Sequence, residues 1–250
     1  MLKYVDISKH YPDGTVALDA VNLEIPKGQF CVILGPSGAG KSTLLRLLNG
    51  MTTASNGEVH FDGLTLGPTT LRQIQHRVAM IHQQFNLVDR LSVLNNILTG
   101  ALPSVSMLSA LFGHFPQDLH RRACQLLDQV ELGEEHLYRR AMELSGGQQQ
   151  RVAIARAFIL KPDVVLADEP VASLDPKISQ DILELLGRTS RQYGATVLCS
   201  LHQVDLARRF ADRIIGMRQG KVVFDGPGDA LDDNALTTIY GGDLRREAAP

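Results

Sequence analysis

Eight consecutive residues, Gly35-Pro36-Ser37-Gly38-Ala39-Gly40-Lys41-Ser42, combine flexible glycines with one cation and one hydroxyl in the pattern G-x-x-x-x-G-K-[ST]. Glycines let successive backbone N–H groups turn inward with no Cβ in the way, so such a loop makes a nest for phosphate oxygens. A helix starting behind it adds unpaired amide donors and the positive end of its dipole. Lys41 brings a mobile charge for β- and γ-phosphates, and the Ser42 hydroxyl, followed by Thr43, is placed to ligate Mg²⁺. Phosphate binding is the chemistry this stretch predicts; a glycine-rich turn with a chance lysine is the blander alternative.

Four other places carry residues able to take part. Asp168 and Glu169 follow the apolar run Val164-Val165-Leu166-Ala167. One acid there can bind phosphate-bound Mg²⁺, usually through water, and the second can orient or deprotonate an attacking water. Leu144-Ser145-Gly146-Gly147-Gln148 reads as a helix start capped by Ser145. Its two glycines each cost helix stability of about 1 kcal/mol, and exposed first-turn amides, a second anion site, would be the compensating use. Two copies arranged head to tail could then complete each other's sites. His202, just past a strand, is a structural histidine or a hydrogen-bond partner for a terminal phosphate. Gln83 falls at a strand's C-terminal edge, where ligands collect in open α/β sheets.

These residues need particular elements to hold them. Phe30–Leu34 reads as a buried parallel strand leading into the glycine loop, with a helix from Lys41 to the Gly50 stop. Further apolar strands are expected at 78–81, 164–167 and 196–200. Helices are expected at 71–76, 118–130, 144–161, 178–193 and up to Phe210. A strand pair at 213–217 and 221–225 meets at Arg218-Gln219-Gly220. Residues 2–8 and 16–25 alternate (Val5, Ile7; Val21, Leu23, Ile25), predicting antiparallel strands with one wet face around a Pro12-Asp13-Gly14 turn, and 57–62 is another short strand. Tyr11, before that turn, reads locally as a half-buried strand-end aromatic. The tail from Gly226 is polar and weakly patterned, with fraying expected at Glu247–Pro250. Alternating strands and helices give an α/β fold with a parallel sheet covered on both faces, interrupted by a helical lobe at about 86–154.

Composition narrows the class. The chain has 250 residues, 44% hydrophobic and 21% charged, with a net charge of −2, which excludes no soluble fold and gives no reason to expect a nucleic-acid partner. Cys31, Cys124 and Cys199 lie far apart, and buried thiols in a reducing compartment are expected for the two in strands. The opening MLKYVDISKH has no signal-peptide core, and no apolar run is long enough to span a bilayer. Leu91 to Gln117 carries no Asp, Glu, Lys or Arg. It either forms a contact surface for another protein or packs inside its own lobe.

Taken together, Gly35–Ser42, Gln83, Leu144–Gln148, Val164–Glu169, Ser173-Leu174-Asp175 and His202 resemble, in order, the Walker A, Q-loop, signature, Walker B, D-loop and H-loop of ATP-binding-cassette ATPases. The resemblance spans about residues 2–228. It implies a P-loop NTPase core (RecA-like parallel sheet plus antiparallel β subdomain) at 1–85 and 155–228, with an inserted α-helical subdomain at 86–154 and a C-terminal tail at 229–250. It also implies ATP and Mg²⁺. Tyr11 becomes the adenine-stacking aromatic, Glu169 the general base and His202 the switch histidine. Ser42, Gln83 and Asp168 become the metal's residues, and Ser145, Gly146, Gly147, Gln148 and Asp175 contact nucleotide on the partner subunit. A homodimer, an integral membrane permease and a periplasmic or lipoprotein solute-binding protein are the implied partners, with the chain on the cytoplasmic face of the inner membrane and no nucleic acid. Asn95-Asn96 departs from the Glu-Asn of many importers and bears on the permease contact, not on catalysis. His82–Val88, Leu111-Phe112-Gly113, Phe115-Pro116 and Asp168–Pro176 further resemble the ATPase subunits of phosphonate importers, with another small oxyanion as an alternative cargo. A soluble nucleotide switch of the same superfamily is the rival of a different class.

Overall fold

The computed structural model describes residues 1–241. Strands β1 (Leu2–His10) and β2 (Val16–Ile25) flank the first turn, and β3 (Phe30–Leu34) leads through the glycine loop into α1 (Lys41–Leu48). β4 (Asn56–Phe61), β5 (Leu64–Thr65), α2 (Leu71–Gln75) and β6 (Val78–Ile81) follow. A helical stretch contains α3 (Val93–Thr99), α4 (Met107–Leu111), α5 (Gln117–Gln129) and α6 (Gly146–Phe158). The chain continues through β7 (Val164–Asp168), α7 (Pro176–Tyr193), β8 (Thr196–Ser200) and α8 (Val204–Phe210). β9 (Arg213–Arg218), β10 (Lys221–Gly226) and α9 (Asp233–Tyr240) complete it.

Every residue of β3, β7 and β8 is buried, because helices cover both faces of this sheet, and their polar residues (Asp168, Thr196, Ser200) stand only at strand ends. The sheet order is β10-β9-β3-β8-β7-β6, parallel except for β10. Alternate residues of β3 feed two cores. Phe30, Val32 and Leu34 join the helical side, while Cys31 and Ile33 join α1 and the second sheet. Register decides what shares an edge. Ile33 and Asp168 both pair with Ser200, and Ile81 pairs with Ala167, so four strands end together. Cys31 and Cys199 are buried as expected and Cys124 is exposed; burial pushes the Cys31 thiol up to about 12.

The second sheet, order β2-β1-β4-β5, is antiparallel. Val21, Leu23 and Ile25 point inward as their alternation predicts, but Val5 does not. Asp6 takes a left-handed φ of 48° and the β1–β2 register shifts between Tyr4 and Ile7. That bulge inserts one residue and flips the pattern, so Leu2, Tyr4 and Ile7 are buried while Val5 is exposed. The tail also departs from its expectation. Beyond Gly226 it forms α9, capped by Asp232, with Leu236 and Ile239 buried. Ile239 fits because Gly216 has no side chain; a Cβ there would lie 2.5 Å from Ile239 Cδ1. Residues 247–250 lie outside the described residues.

The uncharged stretch 91–117 divides between its two readings. Val93, Ile97, Leu98 and Ala101 are fully buried, whereas Met107, Leu108, Leu111 and Phe112 are all exposed. Among the described residues no helix is long and apolar enough to cross a membrane.

The glycine loop is confined from both sides. Gly35 has φ 152° and its Cβ would lie 2.2 Å from the Met217 carbonyl, and Gly40 has φ 102° with the Ala17 carbonyl 2.3 Å from the same position. Gly14, by contrast, has φ 86° with nothing near. Gly14→Ala is expected to cost about 1–2 kcal/mol from conformation alone, and Gly35→Ala clearly more, because backbone must also move. Urea midpoints of the two variants check this ranking.

Candidate active site

Where strands β3, β8, β7 and β6 end, the structure assembles most of the residues singled out above. The Lys41 ammonium is buried and donates to the carbonyls of Gly35 (2.6 Å) and Pro36 (3.2 Å), folded over its own loop. Beside it the Ser42 hydroxyl donates to Asp168 Oδ1 at 2.8 Å, joining α1 to the end of β7. A buried cation folded over a glycine-rich turn at the start of a helix, next to a hydroxyl–carboxylate pair, suits a polyphosphate with a hard divalent ion. No group of three or more His, Cys, Asp or Glu that could hold a metal is found among the described residues. Mg²⁺ fits that donor set, because it keeps several waters and substrate phosphate oxygens around one or two protein ligands.

Glu169 continues directly from Asp168 but turns away from it. Its φ is 51°, a left-handed conformation for a non-glycine residue, with a cost of about 1–3 kcal/mol that its surroundings must offset. Two contacts do so. The Glu169 amide donates to Ser200 Oγ (2.9 Å), and its carboxylate accepts from His202 Nε2 at 2.5 Å. Because a carboxylate only accepts, Nε2 carries the proton. His202 thus holds Glu169 at the sheet edge.

Ser200 escaped the sequence reading. It sits on the strand between β3 and β7, fully buried, donating to Asp168 Oδ1 (2.9 Å) while accepting the Glu169 amide. The one signal was a polar residue closing an apolar run. Arg46, one turn along α1, lies 3.7 Å from the other Asp168 oxygen.

Gln83 is exposed in the loop after β6, two residues past Ile81, as Glu169 is two past the Ala167 that Ile81 pairs with. Tyr11 follows His10, whose partner Val16 precedes the Ala17 that touches Gly40. Lys9 lies over the Tyr11 ring at 5.0 Å. Thr43 follows Ser42 in α1.

Ser145–Gln148 are not brought to this place. Among the described residues no hydrogen bond joins them to 35–43. Ser145 caps α6 in a reciprocal box: its hydroxyl accepts the Gln148 amide (3.4 Å) and Gln148 Oε1 accepts the Ser145 amide (3.0 Å). That fixes the Gln148 amide group, whose Nε2 then faces His136 Nε2 at 3.1 Å, so the imidazole accepts there. His136 was not legible in the sequence. The glycines have a packing reason besides open amides: a Cβ on Gly147 would lie 2.9 Å from Ile178 Cγ2, and one on Gly146 3.3 Å from Leu174. Asp175 caps α7 by accepting the Ile178 amide (3.0 Å). Asn96 is buried and bonds both polar groups of Val88, whereas Asn95 is exposed.

A groove of about 420 Å³ opens beside β6, lined by His82, Asn86, Gly100, Leu102, Pro103 and Arg156 among others. Burial, reinforced by the Arg156 charge, holds the His82 imidazole below its usual value.

A glycine bowl between a buried strand and a helix defines a phosphate-loop NTPase, and a second glycine-opened helix on an inserted lobe narrows the class to ATP-binding cassettes. The chain belongs to the ABC transporter family, whose profile matches residues 18–172. It is 52% identical to the phosphonates import ATP-binding protein PhnC of Hydrogenovibrio crunogenus over 240 residues, 96% of this chain and 88% of the relative. With the PhnC protein of Thiobacillus denitrificans it shares 53% over 234 residues, 94% and 90% of the two chains. Among solved structures it resembles the dimeric post-hydrolysis state of the ATP-binding cassette MJ0796 bound to ADP and Pi, with TM-score 0.77, 35% identity and coverage of 91% and 98%. The cbiO1 protein of Clostridium perfringens, part of the ABC transporter complex cbiONQ, gives TM-score 0.82 at 28% identity, covering 94% and 92%.

Two outcomes follow for this site. Ser200→Ala strips Asp168 of a donor and the Glu169 amide of its acceptor, and is expected to lower stability by about 1–3 kcal/mol in urea unfolding. His82 binds its proton less readily folded than unfolded. Its contribution to stability is therefore complete above the usual histidine value and is lost as pH falls from there through the lowered folded one. NMR titration should place it below a free imidazole, and His82→Gln should remove that part of the acid dependence.

Proposed function

We propose that this chain is the ATP-hydrolysing subunit of an importer, working as a homodimer on the cytoplasmic face of the inner membrane and moving phosphonates through a partner permease. The cargo rests on the relatives above, named for phosphonate import and similar over nearly their whole length. The observation that carries the chemistry is the Ser42–Asp168–Ser200–Glu169–His202 chain of hydrogen bonds at one sheet edge.

In this reading Tyr11 stacks on the adenine, and the loop of Gly35, Pro36, Ser37, Gly38, Ala39 and Gly40 wraps the phosphates with its backbone N–H groups, to which Pro36, having none, contributes only shape. Lys41 leaves its loop carbonyls for the β- and γ-oxygens, with Thr43 closing the far side. Ser42, Asp168 and Gln83 would hold Mg²⁺, which supplies charge neutralisation on the phosphate oxygens when bound. Glu169, presented by its left-handed backbone and oriented by His202, takes the proton of the attacking water. When that proton arrives the Glu169–His202 bond weakens, freeing His202 for the departing phosphate.

The helical lobe, 86–154, carries the second half of the site. Ser145, Gly146, Gly147 and Gln148 present the start of α6, and Asp175 the start of α7, to nucleotide held by the partner copy. Support comes from the geometry of one chain, in which these residues sit apart from its own phosphate loop, and from the dimeric assembly of the MJ0796 cassette. ATP draws the two copies together because its γ-phosphate contacts both, and hydrolysis removes that differential contact. The groove between β6 and the lobe receives the permease; the exposed apolar face of α4 adds to that contact, and a solute-binding protein delivers cargo from the other side.

Glu169→Gln is expected to bind ATP and dimerise but turn over at least ~100-fold more slowly, whereas Lys41→Ala should lose nucleotide affinity. Reconstitution with the permease and a solute-binding protein should give ATP-dependent uptake of a phosphonate in preference to phosphate or phosphite. Normal turnover by the Glu169 variant would refute the assigned base, and a preference for phosphate would reassign the cargo.

A further inference from the structure

Between Gln83 and the helical lobe the backbone makes an unusual turn. Phe85 and Asn86 both adopt left-handed φ, 58° and 48°, although neither is glycine. Each such residue costs roughly 1–3 kcal/mol and persists only when its surroundings over-determine it. Here the turn's own backbone bonds, from the Phe85 amide to the His82 carbonyl (3.1 Å) and from the Asn86 amide to the Gln84 carbonyl (2.5 Å), are joined by one side chain from α6. Arg156 donates through Nη2 to the Phe85 carbonyl (2.6 Å) and through Nη1 to the Asn86 carbonyl (2.5 Å). Its guanidinium is partly desolvated, which holds it below its usual value. A guanidinium bonded at once to two adjacent carbonyls of the strained turn holds that loop conformation.

The turn touches α6 a second time. The Phe85 ring reaches within 4.0 Å of the position a Cβ on Gly146 would occupy, at the first turn of the same helix. Arginine side chains tilt toward a helix N-terminus, so Arg156, eleven residues and about 16 Å past the Ser145 cap along the axis, points back along α6 toward that contact. On the lobe side Arg156 is itself seated. Gly100, closing α3, lies so close that a Cβ there would sit 2.2 Å from the Arg156 carbonyl and 2.8 Å from Ile159. α6 is one uninterrupted helix from Gly146 to Phe158.

We infer that Arg156 is a positioning residue that makes the Gln83 loop and the Ser145 end of α6 move as one body, so that occupancy of one nucleotide site is felt at the other. In the assembly proposed above, the Ser145 end meets the partner's γ-phosphate and Gln83 belongs to the chain's own metal site, so a rigid link between them couples the two sites of the dimer. Arg156 also lines the groove with Asn86 and Gly100, so a permease segment docked in that groove would lie beside the link. The kinetic part of this inference rests on the ATPase function proposed above; the link itself does not.

The test compares wild type with Arg156→Ala and Arg156→Lys, the latter keeping charge but losing the two-pronged grip. Hydrogen exchange without nucleotide should be at least tenfold faster across 83–87 in Arg156→Ala, less so in Arg156→Lys, and unchanged across 35–43. ATPase rate against ATP concentration should show a Hill coefficient falling from above 1 toward 1, with kcat down at least tenfold for Arg156→Ala. Binding of a fluorescent ATP analogue to the monomer should stay within twofold. Unchanged exchange at 83–87 would overturn the link whatever the ATPase does. Faster exchange with an unaltered Hill coefficient would overturn the coupling. Should Arg156→Ala fail to fold, Arg156→Lys and Gly100→Ala, which disturbs the seat of Arg156, read the same two quantities.

Discussion

A single carboxylate, that of Asp168, organises this molecule. It is 7% exposed at the end of an otherwise apolar strand, where an unpartnered charge would be strongly unfavourable. Ser42 and Ser200 both donate to one of its oxygens and Arg46 approaches the other. Those partners come from a helix and a neighbouring strand, so satisfying one charge aligns the start of α1 with the ends of β7 and β8. The glycine loop is held over the acids by that requirement. Glu169 inherits its place from it too, since the Ser200 hydroxyl that supports Asp168 also receives the Glu169 amide.

The glycines answer a complementary constraint. At Gly35 and Gly40 the loop passes so near the Met217 and Ala17 carbonyls that backbone from β9 and β2 forms its outer wall. The bowl is thus backed by carbonyls of two different sheets. Lys41 occupies it by bonding carbonyls of its own loop, a position a stronger anionic partner can draw it out of.

The lobe shares one continuous hydrophobic core with the parallel sheet. α6 enters the main core through Val152, Ile154, Ala155 and Phe158, grips the Gln83 loop through Arg156, and presents a capped, glycine-opened end to solvent. Residue 154, where sequence resemblance puts the lobe's boundary, falls inside this helix, so the helix belongs mechanically to both parts.

From the residues alone came the chemistry and the order of elements. Glycine and lysine spacing, fully apolar strands and a Ser-Gly-Gly helix start are local consequences of backbone freedom, burial on both faces and capping, and each depends on only a few neighbours in the chain. What stayed hidden depends on residues far apart. Val5 turned outward because of a bulge at Asp6, and α9 formed around two apolar residues because Gly216 left room for Ile239. Ser200, His136 and Arg156 read as ordinary polar residues until folding set them against Asp168, Gln148 and the turn at 85–86. The exposure of Met107 to Phe112 was equally undecided, since an apolar residue is buried only if another element arrives to cover it. Local spacing determines which groups the chain can offer. Which of them meet is decided by strand register and helix packing, because a hydrogen bond acts only across a few ångströms of space, whatever the distance in sequence.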